Sequence, residues 1–333
     1  MKNLSRSFAG PLLLFLLGAS HALGQQLPIV TQYREYQAYF NPASVSLNYF
    51  SQAFSLNTGV SYRSQWQKIE GAPRATLAYA EWISRRKGAV HLALGGHIVQ
   101  YRTDPISFHG ASFRLNGILS NDPFRRGLAV GLSIGEVRYR IRIHDIRLRQ
   151  PFDPLQAEIQ PNQRFLDVSL GVFAYHRFER GLLDGDVLYA GLSIPQTQSF
   201  LLDQKDPQGN FYIQRQPHWF FTAGWYKFFN ESDFVEPSIW WKYTPGSLVH
   251  MDVNIRAQWR NLLWAGTGIS FFQLRSLHFE TGFLMSDWVD WSGQLRIGYG
   301  YTVPLGLYRS VFGSSHELNV SLSLNPRKTA FRL

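Results

Sequence analysis

The most constraining feature of this chain is the stretch 248–260, LVHMDVNIRAQWR, which alternates without a break. In an extended strand Val249, Met251, Val253, Ile255, Ala257 and Trp259 share one face, and His250, Asp252, Asn254, Arg256, Gln258 and Arg260 share the other. One face needs an apolar surrounding and the other a wet or polar one. Two architectures meet that need: a soluble antiparallel sandwich and a strand of a membrane-spanning barrel. This segment alone does not choose between them.

Connections choose. The chain divides into 14 candidate strands, at 54–62, 74–83, 89–101, 107–119, 128–141, 165–176, 187–194, 219–229, 235–243, 249–259, 263–271, 277–285, 294–303 and 317–324. The long connections, 63–73, 142–164, 195–218 and 304–316, are the first, fifth, seventh and thirteenth, all odd. Even connections such as 84–88, 230–234 and 260–262 are brief, with 286–293 the longest of those weighed. Short turns on one side and long loops on the other mark an outer-membrane barrel, whereas a sandwich has no reason to segregate its loops. The expected fold is an all-β transmembrane antiparallel barrel of about 14 strands, occupying 53–333.

The N-terminus agrees with export. Lys2 and Arg6 precede an apolar run over 8–17 and then Ala19, Ser20, Ala22 and Gly24, the pattern of a secretory signal peptide over 1–24. That apolar run is about half of the roughly 20 residues a spanning helix needs. Residues 25–52 carry Tyr33, Tyr36, Tyr39 and Phe40 with little clean alternation, and read as a periplasmic lead-in. Cys 0 excludes disulfides, iron–sulfur clusters and thiol chemistry. Removing the signal lowers the net charge from +10 to +8, a basic balance that suits lipopolysaccharide phosphates or an acidic protein better than nucleic acid.

The search for chemistry returns little. Gly131-Leu132-Ser133-Ile134-Gly135 matches the nucleophile elbow GxSxG, but Leu128, Val130, Leu132 and Ile134 alternate with small residues as in an ordinary strand, with Ser133 facing the lumen. The ten histidines include no HExxH, and His91, His97 and His109 lack recognisable catalytic partners. A lipid hydrolase is therefore a distant reading. No enzymatic activity and no cofactor or metal is expected. Arg138, Arg140 and Arg142 alternate with Val137, Tyr139 and Ile141. That stripe either lines the lumen and fifth loop, offering bidentate donors to an anion, or forms a solvated face near lipopolysaccharide.

Several segments resemble the PorP/SprF family of outer-membrane proteins of the type IX secretion and gliding machinery. They are Gln37-Ala38-Tyr39-Phe40-Asn41-Pro42-Ala43, Tyr62-Arg63-Ser64-Gln65-Trp66 with Gly71-Ala72-Pro73, and Gly191-Leu192-Ser193-Ile194-Pro195. Glu236-Pro237-Ser238, Lys242-Tyr243, Pro245-Gly246, Asp252-Val253-Asn254 and Gly313-Ser314-Ser315-His316-Glu317 continue the likeness. The extension 325–333 departs from it.

The resemblance implies an outer-membrane component that binds and helps export or anchor large surface proteins, adhesins, through their C-terminal domains. It implies other type IX secretion components as partners. The expected cargo- and partner-binding set, on outer loops and lumen, is Tyr62, Arg63, Gln65, Trp66, Glu70, Arg138, Arg140, Arg142, His316 and Glu317. The alternative is a passive outer-membrane solute channel.

Overall fold

Strict alternation does what it must in a closed sheet: one set of side chains points to the axis and the other to the surroundings. In the computed structural model, 14 antiparallel strands close into a barrel, each paired with its sequence neighbours and the last with the first. The structure describes residues 30–84, 88–142, 162–197, 216–230, 232–245, 249–272, 275–286, 293–306 and 308–325. The strands are β1 (Leu56–Ser64), β2 (Arg74–Ile83), β3 (Val90–Thr103), β4 (Ile106–Leu119), β5 (Arg126–Ile141), β6 (Asn162–Arg177) and β7 (Val187–Ile194). Then follow β8 (Trp219–Phe228), β9 (Phe234–Tyr243), β10 (His250–Trp259), β11 (Leu263–Phe271), β12 (Ser276–Ser286), β13 (Gly293–Pro304) and β14 (Ser315–Leu324). The seam runs in register from Leu56 opposite Leu324 to Ser64 opposite His316.

Burial is inverted relative to a soluble protein. On β10, His250, Asp252, Asn254, Arg256 and Gln258 are buried, while Val253, Ile255 and Trp259 are exposed. The same holds for exposed Leu128, Val130 and Ile134 against buried Ser133 on β5. Apolar side chains without and polar side chains within fit only an apolar surrounding. The elbow-like motif is therefore plain strand, with Ser133 turned to the axis as its alternation requires.

One expectation is overturned. Residues 30–52 of the lead-in do not sit outside the cylinder in the periplasm; they thread the lumen. Residues 30–52 pass as a 3-10 turn (Tyr33–Tyr36) and short helices (Gln37–Phe40 and Leu47–Gln52) into the start of β1. Tyr33, Tyr36, Phe40, Ala43, Val45 and Tyr49 are buried among inward-facing wall residues. Polar alternation places acidic and basic side chains on the inner wall, and such groups need partners when buried. The segment supplies them.

Candidate functional site

Arg34 is buried between two wall carboxylates, with Nε 2.7 Å from Glu236 and Nη1 3.1 Å from Glu280. Its neighbour Glu35 takes the opposite partners, Arg256 at 3.2 Å and Arg296 at 2.5 Å. Arg256 also reaches Glu236 at 3.2 Å, so one network joins the plug to β9, β10, β12 and β13. Lower down, Arg114 of β4 pairs with Glu81 at 2.6 Å and donates to the carbonyls of Pro42 (2.6 Å) and Ser44. Asn116 donates to the Ala43 carbonyl at 3.0 Å. Aromatic packing fills the space between. Tyr33 stacks on Trp240 at 4.6 Å, and Phe40 meets Trp240 and Phe220 edge-on at 4.8 and 5.6 Å.

The backbone of the plug lies against the wall where the wall has no side chain. A β-carbon at Gly131 would collide with the Pro42 carbonyl group, and one at Gly171 with the Asn41 side chain. Beside the plug a polar pocket of about 40 Å³ remains, bordered by Arg34, Glu35, Glu81, Arg256 and Arg296. That is room for little more than a water.

At the end of the barrel that bears the long connections, the expected site residues separate by the face of the strand they occupy. Arg63 and Glu317 face inward across the β1–β14 seam and form a buried ion pair of 2.9 Å. The Glu317 carboxylate also accepts the backbone N–H groups of Thr31 (2.7 Å) and Gln32 (3.1 Å). Their position makes this pair the anchor for the start of the plug. Gln65 is buried, and its N–H donates to the Pro73 carbonyl at 2.9 Å. Tyr62 faces outward and is exposed. His316, next to Glu317 but on the opposite face, accepts or donates at Nδ1 to the Tyr299 hydroxyl at 2.5 Å.

The first and last outer loops are sewn together. The Gln67 N–H donates to the Ser314 carbonyl (3.1 Å), the Lys68 N–H to the Phe312 carbonyl (3.3 Å) and the Trp66 N–H to Ser315 Oγ (3.3 Å). Trp66 adopts φ +48°, a left-handed conformation unusual for a bulky residue, and its indole stacks on Phe312 at 4.9 Å. The Asp104 N–H donates to the Gly71 carbonyl at 3.0 Å, tying in the β3–β4 turn. Gln67, Lys68 and Glu70 remain exposed on this platform.

The arginine stripe is not in the lumen. On β5, Val137 and Tyr139 are buried toward the axis, and Arg138 and Arg140 stand exposed on the outer wall. The physical reason is the plug: the inner face at this height is an apolar lining for Tyr36 and Phe40, shared with Leu77, Val99 and Phe108, so the charged set turns out. Arg142, just past the strand, pairs with Asp104, as does Arg102 at 3.1 Å. His91 and His97 are buried and face inward, away from the lipid-facing wall that a barrel hydrolase would use.

The fold compares with solved outer-membrane structures. CymD, described as a monoaromatic hydrocarbon channel, matches with a TM-score of 0.50 at 9% identity, over 90% of this chain and 94% of that one. A Pseudomonas aeruginosa FadL homologue matches with a TM-score of 0.48 at 9% identity, over 86% and 92%. No curated protein matches by sequence. The family model for "Type IX secretion system membrane protein PorP/SprF" matches residues 22–322. The chain belongs to the PorP/SprF family. This PorP/SprF protein is thus an outer-membrane β-barrel of the type IX secretion system, with its own N-terminal segment in its lumen.

No periodicity over residues 30–52 marks them as a plug. A signal existed in the wall itself: Glu81, Arg114, Glu236, Arg256, Glu280 and Arg296 are acidic and basic residues at inward positions, and the dipeptide Arg34-Glu35 amid aromatics is their complement.

Proposed function

We propose that this barrel binds a large exported surface protein of the adhesin kind, through its C-terminal domain, and helps to export or anchor it. The docking surface is the platform made by the first and last outer loops. One observation carries this reading: residues 66–72 and 308–315 are cross-braced by backbone hydrogen bonds and by the Trp66–Phe312 stack, with Gln67, Lys68 and Glu70 turned to solvent. A rigid surface with an aromatic base and polar rim is what a protein partner engages without a large ordering cost.

Arg63, Gln65 and Glu317 serve that surface from beneath, since they are buried and hold the loop bases and the plug. Tyr62 and His316 contribute at the outer wall. Other secretion components meet the opposite end, where the connections are short.

Deleting residues 65–71 tests the proposal. Surface display of the cargo and its co-purification with the barrel should fall while the barrel still inserts; unchanged display would remove the platform from the site. The alternative, a passive solute channel, is disfavoured by a lumen crossed by residues 30–52. Planar-bilayer recording separates the two, a large steady conductance of the intact chain favouring the channel.

A further inference from the structure

The outer wall over β2–β6 presents arginines in an arrangement that repels itself. Arg74 lies directly opposite Arg102 in the β2–β3 ladder, and Arg138 lies directly opposite Arg164 in the β5–β6 ladder. Opposed residues on neighbouring strands sit about 5 Å apart, and like charges there are destabilising. Arg140 and His109 complete the group, all exposed. On the upper outward face of these strands only Glu136 answers them, and it is engaged by Arg138. Arg102 leans on Asp104 in the turn. Among the described residues no carboxylate lies within ion-pair distance of Arg74, Arg140 or Arg164.

Just below this group the wall turns apolar. Exposed Ile98, Phe113, Ile134 and Leu166 begin the hydrocarbon band, and a shallow groove of about 820 Å³ opens in it. Its floor is low because Ala78, Gly96 and Ala111 stand between the larger Val60, Ile98 and Phe113. Ala78 follows Arg74 by four residues on one strand and Ala111 follows His109 by two, so the groove starts roughly 7 to 14 Å from the cationic rows. Strand length puts the boundary at the same place. β3 to β6 have 14, 14, 16 and 16 residues, beyond the roughly 9–11 that span a bilayer, so their outer ends emerge at headgroup height.

We infer that this face is a binding site for a phosphorylated glycolipid of the outer leaflet, its phosphates bridging the Arg74–Arg102 and Arg138–Arg164 pairs and an acyl chain lying in the groove. A phosphate between two guanidiniums converts a repulsive cross-strand pair into charge-assisted, bidentate contacts. The groove accepts a chain that a flat barrel wall leaves in bulk lipid.

The test is native mass spectrometry of the detergent-solubilised full chain, titrated with bisphosphorylated lipid A and with its dephosphorylated form. The bisphosphorylated form should bind about tenfold or more tightly, given the attraction of each arginine near an anionic surface. The variant carrying Arg74→Gln, Arg140→Gln and Arg164→Gln should lose that preference, and Ala78→Phe with Ala111→Phe should weaken lipid A binding with the arginines intact. Heat-modifiable gel mobility checks that each variant is folded. Equal binding of the two lipid forms by the natural chain, an undiminished preference in the arginine variant, or binding of an acidic peptide in place of lipid A would overturn the assignment.

Discussion

Single side chains here are decided by whether a charge faces the axis or the lipid. Arg34 is fully enclosed between Glu236 and Glu280, so Arg34→Ala leaves two carboxylates buried with one fewer partner. We expect it to destabilise the barrel by about 3–5 kcal/mol, read as a lowered midpoint in urea unfolding from detergent. By contrast Lys68→Ala, on the exposed platform, should change stability by no more than about 0.5 kcal/mol. Asp104, in the outer β3–β4 turn, responds to pH in a direction its neighbours fix. The hydrogen bond from Arg102, and then the charges of Arg102 and Arg142, hold its carboxyl below the usual carboxylate range. A depressed value means the contribution is present above the unfolded carboxylate pKa and is lost as pH falls through the lower folded one. Amide exchange of this turn, corrected for intrinsic rate, should therefore stay constant down to about pH 4 and rise only below it. The effect is small, because the ion pairs are open to solvent.

At the scale of the element, alternation was legible and its polarity was legible only in part. β2, β7 and β11 fall where the pattern of the sequence places them, because their ends coincide with turn residues and the two-residue period runs to the last position. β1 lies two residues later at both ends, and β6 starts three residues earlier and ends one later, where the alternation continues into loop composition. The stripe of Arg138 and Arg140 shows the limit. Period two says that arginines and Val137–Tyr139 lie on opposite faces, and nothing in one strand says which face meets the axis. That depended on the plug, whose own sequence has no strand period to read. Its contact with the wall is testable at one glycine. Gly131→Val puts a side chain where the Pro42 carbonyl lies, so residues 40–44 must move. Limited proteolysis in detergent should then cut within the lead-in of the variant and spare that of the natural chain, with the barrel strands resistant in both.

Taken whole, the molecule is a cylinder filled by its own beginning. The candidate site was legible as a set of residues near the outer loops, since Trp66, Glu70 and His316 do lie at that end. It was not legible as a division between wall, lumen and platform, because that division is made by strand facing and by contacts 200 and more residues apart, such as Arg34 with Ser238 and Arg63 with Glu317. The intact chain in planar bilayers should show no large steady open state. The clamp at Thr31 and Gln32 has a further bearing on assembly. Its acceptor, Glu317, belongs to β14 and the arginine beside it to β1, so the complete clamp is present only when the sheet is sealed. Zipping the last edge to the first and capturing residues 30–52 are therefore coupled in energy: a cylinder that closed empty would bury Glu317 and Arg63 without their third partner.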